Sequence, residues 1–171
     1  MSAEISGPSV GHHVTTLGLD VGIQRVGMAL YRPELAAIVP IPTVERAGKR
    51  AEQRAISLVQ ENAIPLIVVG TPLSSSDEKT LQGEDVNNFK HRLARRCSAL
   101  IIACDEFLSS EEAKELLGIR GSPNRTIRES GAIDAVAACL ILLRHLTSKG
   151  LNPTIEIGAL VRQVAKLQRR N

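Results

Sequence analysis

Four acids stand out against an aliphatic background: Asp20, Asp105, Glu106 and Asp134. Asp20 interrupts the apolar run Val14 to Val21, where strand propensity disfavours aspartate and an uncompensated carboxylate is costly to bury. Either a hydrogen-bonded turn into Gly22 or a cation must satisfy it. Asp134 is the only acid or base between Glu129 and Arg144, in the stretch GAIDAVAACLILL. A helix apolar on nearly every side is packed all round, so this carboxylate needs a metal, an arginine or the helix start itself to stabilise it. Asp105 and Glu106 directly follow the apolar run ALIIAC, at the carboxyl end of a strand, where open α/β sheets build their sites. Side chains alternate along a strand, so one of the two faces the centre.

Carboxyl groups from a first strand, a later strand end and a late helix suit magnesium or manganese, which take hard oxygen ligands. Such a centre can activate water and stabilise charge on a phosphate being displaced. Asp20, Glu106 and Asp134 are the expected metal ligands, and Asp105 completes the catalytic set. Arg25 follows the first glycine turn, and Arg120, Arg125 and Arg128 populate the segment before Asp134, which is expected to be a loop. These four are the candidate contacts to a nucleic acid, since a loop delivers charge beside a catalytic acid. Arg92, Arg95 and Arg96 read instead as charges closing a helix.

The elements that must position these groups follow from hydrophobic periodicity. Val14 to Val21, Arg25 to Tyr31 and Leu35 to Pro42 are short strand-like runs separated by turn residues, which predicts a meander. Lys49 to Asn62 spaces Ala51, Ala55, Leu58 and Val59 helically, and PLIVVG after it reads as a buried parallel strand. A helix from Ser76 carrying Val86, Phe89 and Leu93, then ALIIAC, repeats that crossover. Ser109 and Glu112 form a capping box for a short helix, and Ser130 to Leu146 is the last core helix. The handedness of crossovers places the two later strands beside the first, giving a five-stranded mixed α/β sheet of order 3-2-1-4-5 flanked by helices.

Composition narrows the partners. A chain of 171 residues holds one domain with a proper core, and 43% apolar with 23% charged residues marks a globular protein. Residues 1 to 13 read as a loose leader, 14 to 148 as the domain, and 149 to 171 as a basic amphipathic helical extension. Aromatic residues make up 2% of the chain, too few for a base-stacking platform, so a nucleic acid would be held by charge and shape. The net charge of +3 is compatible with a polyanion. Cys97, Cys104 and Cys139 have no metal-type spacing, and their odd number fits a reducing cytosol. No apolar run is long enough to span a bilayer, so a cytoplasmic protein with no membrane partner is expected.

Four segments, in order, resemble the YqgF/RuvX family over about residues 16 to 146: LGLDVGIQRVGMAL, IVVGTPLSSS, CDEFLSSEEAKELL and GAIDAVAACLIL. The resemblance implies an RNase H-like fold, with the family's metal-binding acids on Asp20, on Asp105 or Glu106, and on Asp134. It implies a nuclease maturing the 5′ end of precursor 16S rRNA or, alternatively, a Holliday junction resolvase acting on four-way DNA. A non-catalytic RNA-binding factor in ribosome assembly is the reading from another class. Ile23 stands where the family usually has Thr, Phe107 where it has Arg, and Ser110 where it has Thr. Phe107 cannot supply the bidentate donor that an arginine would. A resolvase would need a two-fold dimer, whereas an RNA nuclease can act as a monomer or weak homodimer.

Overall fold

The computed structural model describes residues 14–71, 81–105 and 109–169, with the main chain alone at 81, 82, 105 and 109. Strands β1 (Thr16–Val21), β2 (Arg25–Arg32) and β3 (Ala37–Glu45) form the expected antiparallel meander. Helix α1 (Arg50–Glu61) crosses to β4 (Leu66–Thr71), and α2 (Leu81–Ala94) to β5 (Leu100–Asp105), each new strand lying parallel to the last. The expected start of α2 at Ser76 lies outside the described residues. Helices α3 (Ser109–Leu116), α4 (Arg125–Glu129), α5 (Ala132–Ser148) and α6 (Gly158–Gln168) complete the helical set among those residues.

The sheet order is β5-β4-β1-β2-β3-β6, so the five expected strands stand in the expected sequence and a sixth joins the β3 edge. That sixth strand, β6 (Thr154–Ile155), is too short to show a period. It is held by Thr154 N–H donating to the Ala36 carbonyl and Glu156 N–H to that of Ile38. A second correction concerns the segment before α5, expected as a loop: Arg125 and Arg128 lie on α4, whose first turn is capped by Asn124 accepting from the Ile127 N–H at 2.9 Å. Ile127 is buried against α5 and α6 residues, and this anchors the turn.

The two faces of the sheet are covered differently. Leu17, Leu19 and Val21 of β1 point with Val26 and Met28 into a core shared with Ala55 and Leu58 of α1 and Phe89 and Leu93 of α2. Each such aliphatic side chain, fully buried, contributes about 1.5–3 kcal/mol. On the other face α5 presses its main chain on the strands. A Cβ at Gly18 would lie 2.4 Å from Leu142 Cγ and 3.0 Å from the Ala138 carbonyl oxygen, and one at Gly27 only 1.9 Å from the Asp134 carbonyl oxygen. Glycine is required at Gly27 because the helix backbone occupies the place of a side chain.

Candidate active site

Asp20 and Gly27 face each other across the β1–β2 ladder. Directly opposed residues of an antiparallel pair project to the same side, and their Cα atoms lie about 4.5–5.5 Å apart. Gly27 is the residue on which the Asp134 carbonyl rests, so Asp20 and the Asp134 main chain both adjoin Gly27 on the α5 face. Period-two alternation agrees: Leu19 and Val21 belong to the opposite core, leaving Gly18 and Asp20 towards α5.

The first turn of α5 is fixed from β3. The β2–β3 register shifts between Val26 and Met28, so that Gly27 stands at a bulge on whose far side are Pro42 and Thr43. Proline, with no N–H to give the ladder, suits that position. Thr43 Oγ1 donates to the Gly131 carbonyl at 2.8 Å, and Gly131 takes φ +70° as N-cap with its Cα pressed on the Thr43 side chain. A left-handed residue with a neighbour 2.7 Å from any Cβ admits glycine alone.

Asp134 thus sits in the first helical turn, where the helix dipole favours an acid. Burial nevertheless pushes its carboxyl above the ordinary carboxylate range, against the opposing pull of Arg25. Arg25 Nε lies 3.3 Å from Asp134 Oδ2, the two side chains being 26% and 32% exposed. Burial thus outweighs the Arg25 contact, and both side chains keep part of their surface in solvent.

The other expected residues are distributed less compactly. β5 lies two strands from β1, as expected, with β4 between them. At the corresponding level β4 carries Gly70, paired with Cys104, which leaves no side chain in the gap. Cys104 packs on the α5 face beside Ile102. Asp105 ends β5 opposite Thr71, and Glu106 lies outside the described residues. Among the described residues no group of three or more His, Cys, Asp or Glu is arranged to hold a metal. Among the described residues Arg25 alone of the candidate arginines pairs with an acid of this centre; Arg125 is engaged with Glu129 at 2.5 Å, and Arg120 and Arg128 are exposed.

Sequence reasoning missed a second polar cluster, on the α1 and α2 side. Arg46 donates in a fork to Asp85, with one bond of 2.9 Å, and also to the Gly22 carbonyl at 3.0 Å. Arg92 Nε donates to Glu52 at 2.9 Å, and both guanidiniums lie over the buried Phe89 ring. The Arg46 fork holds the Asp85 carboxyl below the usual carboxylate range. One signal could have found the cluster: Glu52 falls on the same helical face as Ala55 and Val59, where a charge must be paired.

Comparison with known proteins gives a consistent picture. The family profile described as "RuvX: Holliday junction resolvase" matches residues 14–148. A protein of Chloroflexus aurantiacus named "Putative pre-16S rRNA nuclease" is 33% identical over 138 residues, 80% of this chain and 89% of that protein. A protein of the same name from Chlorobaculum tepidum is 33% identical over 142 residues, 82% of this chain and 98% of its own length. Among solved structures, T. thermophilus RuvC in complex with a Holliday junction substrate superposes with a TM-score of 0.50 at 13% identity, covering 81% of this chain and 96% of that one. That likeness concerns the fold. Among the described residues no helix is long and apolar enough to cross a membrane.

Proposed function

The chain belongs to the RuvX family of Holliday junction resolvases, and from that premise we propose that it is a metal-dependent nuclease hydrolysing phosphodiester bonds of structured RNA in the 5′-end maturation of precursor 16S rRNA. The observation that carries the reading is the placing of Asp20 and Asp134 on either side of Gly27, on one face of the sheet. Two carboxylates on one face, one of them half-buried beside Arg25, are hard-oxygen donors of the kind that magnesium or manganese takes. When bound there, such an ion activates water and offsets charge on the scissile phosphate. The family resemblance assigns the third ligand to Glu106 or Asp105, of which Glu106 is taken as the metal ligand and Asp105 stays in the catalytic set beside it.

The chain's own groups have distinct parts. Asp20 and Asp134 supply the anionic oxygens, with Asp134 needing to be deprotonated to serve. Arg25, a quarter exposed and already beside Asp134, offers planar donors to a phosphate oxygen. Arg120 and Arg128 are exposed ahead of α5 and contact the flanking backbone, whereas Arg125 must leave Glu129 to do so. The active unit is a monomer or weak homodimer in the cytoplasm.

The test is cleavage of a labelled RNA bearing the 5′ extension of 16S rRNA, beside unstructured RNA and a four-way DNA junction, with magnesium or manganese, by wild type and Asp20→Asn. Metal-dependent RNA cutting, lost in the variant, is expected. Cutting of the junction alone would make the protein a resolvase, and no cutting by folded wild type would make it a binding factor.

A further inference from the structure

The cluster of Arg46, Glu52, Asp85 and Arg92 lines a cleft of about 790 Å³ together with Lys49 and Ile23, and we infer that this cleft holds the RNA backbone leaving the active site and distinguishes it from DNA. The inference rests on the nuclease reading for the identity of the strand, but not for the existence of the site.

Continuity is the first argument. Ile23 and Arg46 line both this cleft and a neighbouring depression of about 320 Å³ that includes Arg25, the partner of Asp134. A surface path therefore leads from the acidic pair past Arg25 and the β1–β2 turn into the cleft. At that turn Ile23 is 76% exposed, an apolar tip over which a strand can bend without giving up hydrogen bonds.

Charge is the second. The cleft presents three cations to two carboxylates. Arg46 is committed to Asp85 and Gly22, but Arg92 uses its Nε on Glu52 and is 38% exposed. Lys49 is exposed, among the described residues has no ion pair, and is set at the mouth by two successive left-handed residues, Gly48 at φ +64° and Lys49 at φ +60°. Lys49 and Arg92 are the phosphate contacts.

The third argument concerns the unpaired atom. Glu52 is 5% exposed, one oxygen accepts from Arg92, and the other, Oε2, is buried with no hydrogen-bond partner among the described residues. A buried carboxylate oxygen calls for a donor. The aromatic ring of the cleft, Phe89, is fully buried under the two guanidiniums and cannot stack a base, so the cleft addresses backbone rather than bases. Phosphates accept only; in a nucleic-acid backbone the one donor is the ribose 2′-hydroxyl, which DNA lacks. With its carboxyl turned toward the cleft that it lines, Glu52 is matched with Lys49 and Arg92 to RNA: acceptor to hydroxyl, cations to the adjoining phosphates.

The experiment measures anisotropy of labelled single strands, RNA and DNA of one sequence, on the full chain in EDTA, so that binding is read without cleavage. Lys49→Glu is expected to weaken RNA binding about tenfold at low salt and to lower the salt slope by about 0.7 for the lost phosphate contact. Lys149→Glu, the same charge change on the exposed end of α5, is expected to do neither. Glu52→Gln is expected to shrink the RNA-over-DNA preference at least threefold with its circular dichroism unchanged; if it unfolds, a 2′-O-methyl RNA, lacking the donor, must bind wild type as weakly as DNA. Equal effects of both lysine variants, or a preference insensitive to Glu52 and to the 2′-hydroxyl, overturn the inference. Should the lysine effect appear in a protein that cuts nothing when metal is supplied, the cleft stands and the nuclease reading falls; cutting with no lysine effect has the opposite meaning.

Discussion

Arg25–Asp134 and Arg46–Asp85 are chemically the same pair, placed on opposite sides of one end of the sheet, yet their carboxyls shift in opposite directions. Asp134 is raised because burial outweighs a single Nε contact at 3.3 Å. Asp85 is lowered because a two-pronged guanidinium outweighs burial, with Arg92 adding to the field. The difference teaches how to read an ion pair. The satisfied one ties the end of β3 to α2, while the other is where the proposed function places a further cation.

The strongest way to break the comparison is at the glycine beneath the unsatisfied pair. Gly27→Ala drives a Cβ into the Asp134 carbonyl, and helix backbone cannot step aside as a side chain can. It is expected to cost about 3 kcal/mol or more in urea unfolding, and to abolish cleavage in whatever remains folded. Gly48→Ala, beside Arg46, meets nothing within 4 Å and carries only left-handed strain, about 1–2 kcal/mol. Equal costs would mean that backbone contact does not set the position of Asp134.

Next in size is the charge itself. Asp134→Asn is expected to lower metal-dependent cleavage by at least about a hundredfold. Because burial disfavours the ionised form, its melting temperature at neutral pH should equal or exceed that of wild type, a gain in stability at the cost of function. A clear fall in melting temperature would show that Asp134 is a structural partner of Arg25 and nothing more. Arg25→Gln removes the group that holds the Asp134 carboxyl down, so the acid limb of the pH–rate profile should move to higher pH. A limb that stays in place would detach Arg25 from the acid.

The two sides also differed in how far sequence reveals them. The strands and α5 were legible because buried runs and helical spacing are local, and Asp134 was conspicuous as a charge in an apolar helix. Its place beside Gly27, opposite Asp20, depends on register, which topology supplies and periodicity does not. The Arg46–Asp85 and Arg92–Glu52 bonds join residues 39 and 40 positions apart, with nothing local to pair them. The helical place of Arg125 and Arg128 is not legible in sequence, because a five-residue helix is too short for a period to emerge.

The smallest effect is the most diagnostic, because its sign differs between the two pairs. A carboxyl raised on folding, as Asp134 is, contributes stability that is full below its unfolded pKa and is lost as pH rises through the folded one. Asp85, lowered on folding, contributes stability present above the unfolded pKa and lost as pH falls through the folded one. With an unfolded value near about 3.9, the Asp134 window lies above about pH 4 and the Asp85 window below it. Asp85 is 39% exposed, so screening limits its share to at most about 1 kcal/mol. Urea midpoints in metal-free buffer from neutral pH to about pH 3 should therefore separate the variants. Asp134→Asn loses stability more steeply than wild type on the way down to about pH 4, having no raised acid to take up a proton, and Asp85→Asn loses less than wild type below it. If both variants part from wild type in the same window and the same direction, the two pairs are alike, and the case for a cation at Asp134 loses its electrostatic support.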